Sequence, residues 1–502
     1  MHGTTFSIGT RPAAARFCRR RPAPPEICDQ QRRPFPVKLS FHGADRCVTG
    51  SCHMLECANR RILVDCGMFQ GSRELTEENA TAFDFDPASV DFLLLTHAHL
   101  DHCGRLPLLA KRGFRGEVIA TSATRELAHI VLTDAAHLQE EESRRQAYQR
   151  RGRGDEGVPA PLYTILDAFN SFDRFGRTVE YGQPLDLAPG IRVTFFDAGH
   201  ILGSASVRVE ATEGPHTRSI LFSGDIGNAG RPLLPPPSPP GTADIVVMET
   251  TYGDRNHRSI SDSVEELYSA IGAALGRGGN VIIPTFALER AQEILFALHQ
   301  GVDRSKVTPA LQVFLDSPMA ISATEIFERH SELLNPRVTR LFREGDDPLR
   351  LPGLHFTRET ADSMAINRIT GGAVIMAGSG MCTGGRVRHH LRHNLWREES
   401  AVIFVGFAAH GTIARQIIDG AKQVRLFGEE IPVRSSIHTI NGFSAHAGQR
   451  ELLAWRRGIG GVQMTFLVHG EETAMNEFAR HLQDCQVEMP RSGDIFDLGP
   501  AA

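Results

Sequence analysis

Three histidines and one aspartate fall within six consecutive positions in the segment Thr96-His97-Ala98-His99-Leu100-Asp101-His102. The segment follows an apolar run, Val90 to Leu95, that predicts a buried strand. In an extended loop leaving that strand, His97 and His99 point the same way, because side chains alternate with a period of two. Imidazole nitrogens suit zinc, and a carboxylate among histidines can bridge toward a second ion. The spacing therefore predicts a metal site rather than a histidine-rich surface loop.

The H-x-H-x-D-H spacing resembles the signature of the metallo-β-lactamase superfamily, which implies further ligands downstream in a set order. His200 and Asp225 each follow an apolar run that predicts a strand, and they occur in that order. Upstream, Asp65 ends the run Ile62-Leu63-Val64, where the superfamily has an aspartate that orients the metal ligands. Each of these residues alone would be a common turn or core residue, so the prediction rests on the ordered set.

Later motifs resemble the β-CASP branch of that superfamily. Met248-Glu249-Thr250-Thr251-Tyr252-Gly253-Asp254-Arg255 resembles the acidic motif that opens the β-CASP insertion. Gly442-Phe443-Ser444-Ala445-His446 and Leu467-Val468-His469-Gly470-Glu471 resemble its two closing histidine motifs. The resemblance covers residues 37 to 490 and is closest to RNA-cleaving members, similar to the nuclease subunit of the pre-mRNA 3′-end cleavage machinery. Histidine at position 469 favours the RNA branch, since DNA-repair members typically carry valine there.

The resemblance implies two zinc ions per chain and a division of labour among the motif residues. The implied ligands are His97, His99 and His200 for one ion, Asp101, His102 and His469 for the other, and Asp225 between them. Two ions about 3.5–4 Å apart polarise a bridging water and stabilise phosphoryl oxygens during in-line displacement. His446 is the implied general acid, and Glu249 keeps it protonated and oriented. Asp101 and Asp65 complete the implied catalytic set.

A glycine-rich turn, Gly378 to Gly385, predicts a site for the RNA backbone. It follows an expected strand, Ala373 to Met376, and precedes an expected helix, Val387 to Leu395, so main-chain N–H groups can converge on an anion. The expected substrate contacts are Ser379, Gly380, Thr383, Gly384, Arg386 and Arg415. His389 and His390 lie beside the turn, and His410 and Thr412 are further candidates. Ala408 stands where the family motif has glutamine, which leaves the contacts there open.

The sequence leaves the type of cleavage open. The resemblance favours endonucleolytic cleavage of single-stranded RNA in RNA processing or decay, with 5′-to-3′ exoribonuclease activity as an alternative. Hydrolysis of a thioester or lactam would leave Glu249 and His446 unexplained. A scaffold subunit without activity would lack metal ligands, and none is missing here. Members of the family often form homodimers, so RNA and a second copy of the chain are the expected partners.

An α/β architecture must position these residues, and the resemblance implies an αββα sandwich with an inserted α/β domain. The expected divisions are a disordered Arg/Pro-rich extension at 1–36, the first part of the metallo-β-lactamase domain at 37–250, the β-CASP domain at 251–432 and the return of the first domain at 433–502. Helices are expected at Thr124–Glu142, Ser263–Leu275 and Leu288–His299, and further strands at Asn280–Ile283, Leu311–Leu315 and Ala401–Val405. Arg144–Pro161 and the proline-rich Arg231–Gly241 are expected to be surface excursions.

The composition bounds the class of protein. A chain of 502 residues with 41% hydrophobic and 23% charged residues is typical of a soluble protein of two or three domains. No apolar run approaches the roughly 18 residues that cross a bilayer. The nine cysteines lack a C-x-x-C pair, which favours a reducing cytoplasm over a disulfide framework. With a net charge of −5, any contact with nucleic acid must come from a local cluster rather than from overall basicity.

Overall fold

The computed structural model describes Met1 and residues 37–71, 73–151, 160–213, 216–406, 408 and 411–499. The expected disordered extension therefore falls almost entirely outside the described residues, as do residues 152–159 and His410. Within the described part of the chain, no helix is long and apolar enough to cross a membrane.

The described residues form strands that are numbered here in chain order. They are β1 (Lys38–Phe41), β2 (His53–Cys57), β3 (Arg60–Val64), β4 (Phe92–Leu94), β5 (Glu117–Thr121), β6 (Phe175–Val179), β7 (Leu185–Ala188), β8 (Ile191–Asp197), β9 (Ala205–Glu213), β10 (His216–Phe222), β11 (Ile245–Glu249), β12 (Val281–Pro284), β13 (Gln312–Leu315), β14 (Leu354–Phe356), β15 (Ala373–Ala377), β16 (Ala401–Phe404), β17 (Gln423–Leu426), β18 (Glu429–Pro432), β19 (Ser436–Thr439), β20 (Met464–Val468), β21 (Gln486–Glu488) and β22 (Ile495–Asp497).

The helices are numbered in the same way. They are α1 (Arg73–Glu78), α2 (Leu100–Cys103), α3 (Leu106–Lys111), α4 (Ser122–Arg151), α5 (Ile165–Phe172), α6 (Ile260–Gly276), α7 (Arg290–Asp303), α8 (Pro318–Arg329), α9 (Pro336–Glu344), α10 (Thr360–Ile366), α11 (Val387–Asn394), α12 (Ile413–Ile418), α13 (Gln449–Arg457) and α14 (Glu472–Ala479).

Two seven-stranded sheets pack face to face and form the first domain. Their strand orders are β22-β1-β2-β3-β4-β5-β6 and β21-β20-β11-β10-β9-β8-β7. Successive side chains of β3 point to opposite faces of its sheet. Ile62 and Val64 pack between the two sheets, and Leu63 packs on the outer face beneath α3 and α4. On the second sheet, Val246 packs outward against α13 and α14 in the same way. The layers therefore run helix, sheet, sheet, helix, as predicted.

The strands that precede the metal-ligand motifs end at one edge of this sandwich. Strand β3 runs parallel to β4, and β10 runs parallel to β11, which is itself parallel to β20. Strand β8 is antiparallel to β9, and β9 is antiparallel to β10, so β8 has the direction of β10. Because the carboxyl ends of parallel strands share an edge, the loops after these strands converge there.

The inserted domain is a parallel sheet of six strands in the order β14-β13-β15-β12-β16-β19. Its central strand β12 is buried on both faces, with Val281 and Ile283 packed on one side and Ile282 on the other. Strand β19 (Ser436–Thr439) pairs with β16, so this sheet extends beyond residue 432, where the sequence had placed the return to the first domain.

Two expected surface excursions differ from the structure. Helix α4 continues through Arg151, so the charged residues from Arg144 onward extend the helix rather than leaving it. The segment that begins at Arg231 is extended and proline-rich, as expected, but its first residues are buried. Leu233 and Leu234 pack in a core shared by both domains, and the Leu233 carbonyl accepts a hydrogen bond of 2.7 Å from Asn335 N. This segment is therefore a contact between the domains.

Candidate metal centre

Four buried ligand atoms converge on one point at the shared edge of the sandwich. His99 Nδ1 lies 3.1 Å from both His97 Nε2 and His200 Nε2. Asp225 Oδ2 lies 3.4 Å from His97 Nε2 and 3.5 Å from His200 Nε2. Four atoms placed tetrahedrally at about 2.1 Å from a zinc ion would be about 3.4 Å apart, so the spacing fits one ion.

A second set of ligand atoms adjoins the first. His102 Nε2 lies 3.3 Å from Asp225 Oδ1, and His469 Nε2 lies 3.6 Å from Asp101 Oδ2. The ligand atoms of Asp101, His102 and His469 all lie within 4.8 Å of one another. Asp225 thus directs one oxygen toward each set, which is the geometry of a bridging carboxylate.

The chemistry of these atoms fits a cation. His102 Nε2, His469 Nε2 and Asp225 Oδ1 are buried and have no hydrogen-bond partner among the described residues. Buried polar atoms normally have such a partner, and an unpaired buried carboxylate oxygen is costly. A metal ion would satisfy all three atoms, and the pattern of two such sets joined by one carboxylate accommodates two ions.

The histidines of the first set are held as neutral imidazoles. Burial lowers the pKa of His97 to about 3 and that of His99 to about 4, and it also lowers the pKa of His200. A neutral imidazole keeps the lone pair that a metal requires. Burial opposes a charge on Asp225 as well, but the surrounding histidines hold its pKa well below the usual range. The first set therefore offers neutral nitrogens around an ionised carboxylate.

Asp65 contacts the ligand loop through Thr96 and His102. Its Oδ1 accepts a hydrogen bond of 2.8 Å from Thr96 N, and its Oδ2 accepts one of 2.8 Å from Thr96 Oγ1. His102 Nδ1 lies 2.6 Å from Asp65 Oδ2, so an N–H there points to Asp65 and leaves Nε2 facing the second set. A Cβ atom at Gly67 would lie 1.6 Å from the Asp101 carbonyl oxygen, so glycine is required where the two loops meet.

His446 and Glu249 form a pair beside the first ligand set. His446 Nδ1 lies 3.2 and 3.3 Å from the two carboxylate oxygens of Glu249, and 3.9 Å from Asp225 Oδ2. Glu249 is buried, and its Oε1 accepts a hydrogen bond of 2.6 Å from Ile226 N, which fixes the carboxylate. Burial would lower the pKa of His446, but Glu249 and then Asp225 outweigh it and raise the pKa to about 9. The pair can hold a proton at neutral pH.

The glycine-rich turn follows β15. It lies at the carboxyl edge of the parallel sheet of the inserted domain, called the third sheet below. Ser379 Oγ accepts a hydrogen bond of 3.3 Å from Gly384 N and lies 3.4 Å from Thr383 Oγ1, so these residues stabilise the turn itself. A Cβ atom at Gly380 would lie 2.7 Å from the Phe286 ring. That ring is 39% exposed at the same edge and has the chemistry to stack on a base. Sequence reasoning missed Phe286, whose only signal is an aromatic residue just after a strand.

Arg386 and Arg415 are engaged with protein groups. Arg386 Nη1 lies 2.7 Å from Asp316 Oδ1 and donates to the Thr357 carbonyl, and Nη2 donates to the Arg358 carbonyl. Arg415 forms an ion pair of 2.6 Å with Asp419, the residue that follows α12. His390, also expected near RNA, is buried and lies 2.7 Å from Asp316 Oδ2. Arg386 and His390 thus fix the end of β13, where Asp316 lies.

A buried arginine that the sequence did not single out connects the metal centre to the inserted domain. Arg231 Nη1 donates to the His200 carbonyl at 2.5 Å. Its Nε lies 2.6 Å from Glu293 Oε1, and its Nη2 lies 2.8 Å from Glu289 Oε1. All three side chains are at most 2% exposed. No sequence pattern indicates this network, because both glutamates are far from Arg231 in the sequence. Glu289 lies just before α7, and Glu293 lies on it.

Comparisons with known proteins match this arrangement. Residues 45–285 match the metallo-beta-lactamase superfamily, residues 291–417 match the Beta-Casp domain, and residues 430–489 match the Zn-dependent metallo-hydrolase RNA specificity domain. These matches and the layered fold confirm the predicted superfamily and the predicted β-CASP insertion. The implied metal dependence agrees with the ligand sets described above.

Several relatives align over most of the chain. Ribonuclease TTHA0252 of Thermus thermophilus is 42% identical over 460 residues, which are 91% of this chain and 99% of that protein. Transcription termination factor FttA of Methanocaldococcus jannaschii is 30% identical, with 93% of this chain and 72% of that protein covered. A crystal structure of a protein of unknown function from Enterococcus faecalis has a TM-score of 0.53 at 12% identity, covering 92% of this chain and 100% of that one, and supports the fold alone.

Proposed function

The chain belongs to the β-CASP branch of the metallo-β-lactamase superfamily, and we propose that it is a zinc-dependent ribonuclease that cleaves single-stranded RNA internally. The observation that carries this proposal is the joining of two ligand sets by Asp225 beside a pair formed by the half-buried His446 and the buried Glu249. The first feature suits metal-assisted hydrolysis, and the second suits protonation of a leaving oxygen.

The proposed ligands divide into two groups that share Asp225. His97, His99 and His200 would hold one zinc ion, and Asp101, His102 and His469 would hold the other. Bound zinc ions lower the pKa of a coordinated water to near neutrality and offset the charge of phosphoryl oxygens. The protein keeps the ligand atoms in place through Asp65, which holds His102 through Nδ1.

His446 is the proposed general acid, and Glu249 is the residue that positions it. A phosphodiester needs its leaving oxygen protonated, because an alkoxide is a poor leaving group. Glu249 keeps the imidazole protonated and fixes its Nδ1, which leaves Nε2 to donate toward the substrate. The side chain of His446 is 22% exposed, so a substrate can reach it, while Glu249 is 1% exposed and cannot itself contact RNA.

RNA is the proposed substrate because the inserted domain brings a second surface to the metal centre. The glycine-rich turn, the Phe286 loop and the segment leading from β19 to His446 all leave the carboxyl edge of the third sheet. Ser379, Gly380, Thr383 and Gly384 supply hydroxyl and main-chain groups for a phosphate, whereas Arg386 and Arg415 beside them are held by Asp316 and Asp419. Five of the seven candidate ligand residues are buried, which favours a flexible single strand over a wide duplex.

Digestion of one RNA labelled in turn at each end tests the proposal. Metal-replete protein is incubated with that RNA carrying a 5′-phosphate or a 5′-hydroxyl, and with DNA of matched sequence. The proposal predicts internal fragments from both RNA forms and no comparable products from DNA. Mononucleotides released only from the 5′-phosphorylated end would instead identify a 5′-to-3′ exoribonuclease. Hydrolysis of a thioester without RNA cleavage would identify a small-molecule hydrolase.

A further inference from the structure

A cavity of about 410 Å³ lies between the two domains and takes no part in the centre described above. One wall is the segment from Asn228 to Pro236, and the other is formed by α7 and the start of α9. This volume is within the range of about 300–1,000 Å³ that is typical of ligand sites. The cavity is therefore large enough for one nucleotide.

The polar side chains that line the cavity include two without a partner. Neither the Gln300 carboxamide nor the Arg337 guanidinium has a side-chain hydrogen bond or ion pair among the described residues. Arg337 stands in the first turn of α9, where the positive end of the helix dipole disfavours a cation. Arg337 is exposed where it lines the cavity, so its guanidinium is available to an anion that enters there.

The remaining walls suit the face of a base. Pro232, Pro236 and Leu234 contribute apolar surface, and the buried Phe296 closes the floor. Arg231 also lines the cavity. Its ion pair with Glu293 on α7 holds the two walls together. Such a combination of apolar walls, a carboxamide and a guanidinium matches a nucleotide, whose base has apolar faces and polar edges.

The cavity adjoins the catalytic pair through Asn228. The Asn228 main-chain N donates a hydrogen bond of 3.0 Å to the carbonyl of Ala445, which precedes His446. The Asn228 side chain donates one of 3.4 Å to the Ser444 carbonyl. Asn228 also follows the bridging candidate Asp225 closely in sequence. These two hydrogen bonds hold one wall of the cavity against the segment that carries His446.

We infer that this cavity binds a nucleotide of the RNA substrate that flanks the cleaved bond, with Arg337 contacting its phosphate and Gln300 an edge of its base. The inference rests on the proposed ribonuclease function. It assigns part of the substrate specificity to a pocket between the domains and away from the glycine-rich turn.

Arg337→Ala tests the inference against Arg343→Ala as a matched control. Arg343 lies six residues further along α9, is exposed, has no side-chain hydrogen bond or ion pair among the described residues, and does not line the cavity. Affinity for a fluorescent single-stranded RNA is measured over a salt titration in a His446→Ala background, where the RNA should stay intact. Arg337→Ala should weaken binding about tenfold, as expected for one charge-assisted contact, and should reduce the slope of log affinity against log salt by about 0.7. Arg343→Ala should leave both quantities near those of the background protein.

A second measurement locates the nucleotide. RNAs with 4-thiouridine at single positions around the mapped cleavage site are irradiated with the same protein, and the crosslinked peptides are identified. A flanking position should crosslink to the peptide that contains Gln300 or Arg337. Equal binding losses in Arg337→Ala and Arg343→Ala, or crosslinks that never reach these peptides, would overturn the inference. If the wild-type protein cleaves no RNA at all, the proposed function fails instead, and the two failures are thus distinguishable.

Discussion

Replacing Arg231 by alanine should be among the most damaging single changes in the chain. The substitution removes a guanidinium that is 2% exposed. Glu293, which is 1% exposed, then keeps Arg290 as its one cationic partner among the described residues. Removing one partner of a buried ion pair typically costs about 3–5 kcal/mol. Burial raises the pKa of Glu289 to about 8 despite Arg231, so Glu289 is already mostly protonated near pH 7 and adds little to the cost of losing Arg231. We therefore expect a loss of about 3 kcal/mol near pH 7, at the lower end of that range.

The loss should depend on pH in a defined direction. A carboxyl group whose pKa is raised in the folded protein favours folding at low pH, and this contribution is lost as the pH rises through the folded value. Without Arg231 the pKa of Glu289 should rise further, so Arg231→Ala should be more destabilising at pH 8 than at pH 6. The variant should also lower catalytic activity, because the His200 carbonyl loses its donor.

Urea unfolding at the two pH values measures this effect. The two tryptophans lie in different domains, Trp396 in the inserted domain and Trp455 in the first, so fluorescence reports on both. The exposed Arg343→Ala is the control and should change stability by no more than about 0.5 kcal/mol. If Arg231→Ala unfolds at the same urea concentration as this control, the buried network does not join the domains and the reasoning is wrong.

Three further predictions concern the site. Elemental analysis of metal-replete protein should give about two zinc ions per chain, and His97→Ala should lose metal and activity together, because each histidine is a direct ligand. Glu249→Gln should lower the pKa of His446 from about 9, so its loss of cleavage rate should be larger at pH 8 than at pH 6, and it should be non-additive with His446→Ala. Arg386→Ala should lower the melting temperature, because the buried Asp316 loses a partner; weaker RNA binding with no loss of thermal stability would instead identify Arg386 as a direct RNA contact.

The clustering of the candidate metal ligands could be predicted from the sequence because these residues are local features. His97, His99, Asp101 and His102 lie in one short loop, and the other ligands each follow an apolar strand. Since the carboxyl ends of parallel strands share an edge, the sequence order of motifs becomes a cluster in space. The elements of the inserted domain were likewise marked by continuous apolar runs, which are buried on both faces of a parallel sheet.

Element ends were less predictable where the backbone is unusual. The expected helix start at Leu288 lies two residues before the observed one, because Glu289 has a φ of +64° and breaks the helical path ahead of Arg290. Helix α4 extends to Arg151 because its charged residues form pairs such as Arg144 with Glu140 along the helix. Hydrophobic periodicity alone does not detect such ion pairs in a charged stretch that contains glycine.

The roles of arginines could not be predicted, because their partners are distant in sequence. Arg386 stands beside a glycine-rich turn, which suggests a phosphate contact, yet its guanidinium is engaged by Asp316 on the neighbouring strand's loop. Arg231 lies in a proline-rich segment that resembles a surface loop, and only the folded chain brings Glu289 and Glu293 to it. A side chain's partners become visible only when separate elements are packed together.

Cleavage by His446→Ala, measured at matched zinc content, tests the central claim most directly. The variant and the wild-type protein are loaded with zinc, their metal content is determined on the same samples, and the rate of phosphodiester cleavage is measured on single-stranded RNA. The account predicts equal zinc content and cleavage reduced by at least about a hundredfold, the scale of general acid catalysis. Equal zinc content with cleavage at the wild-type rate would contradict it, because the leaving oxygen would then be protonated without His446.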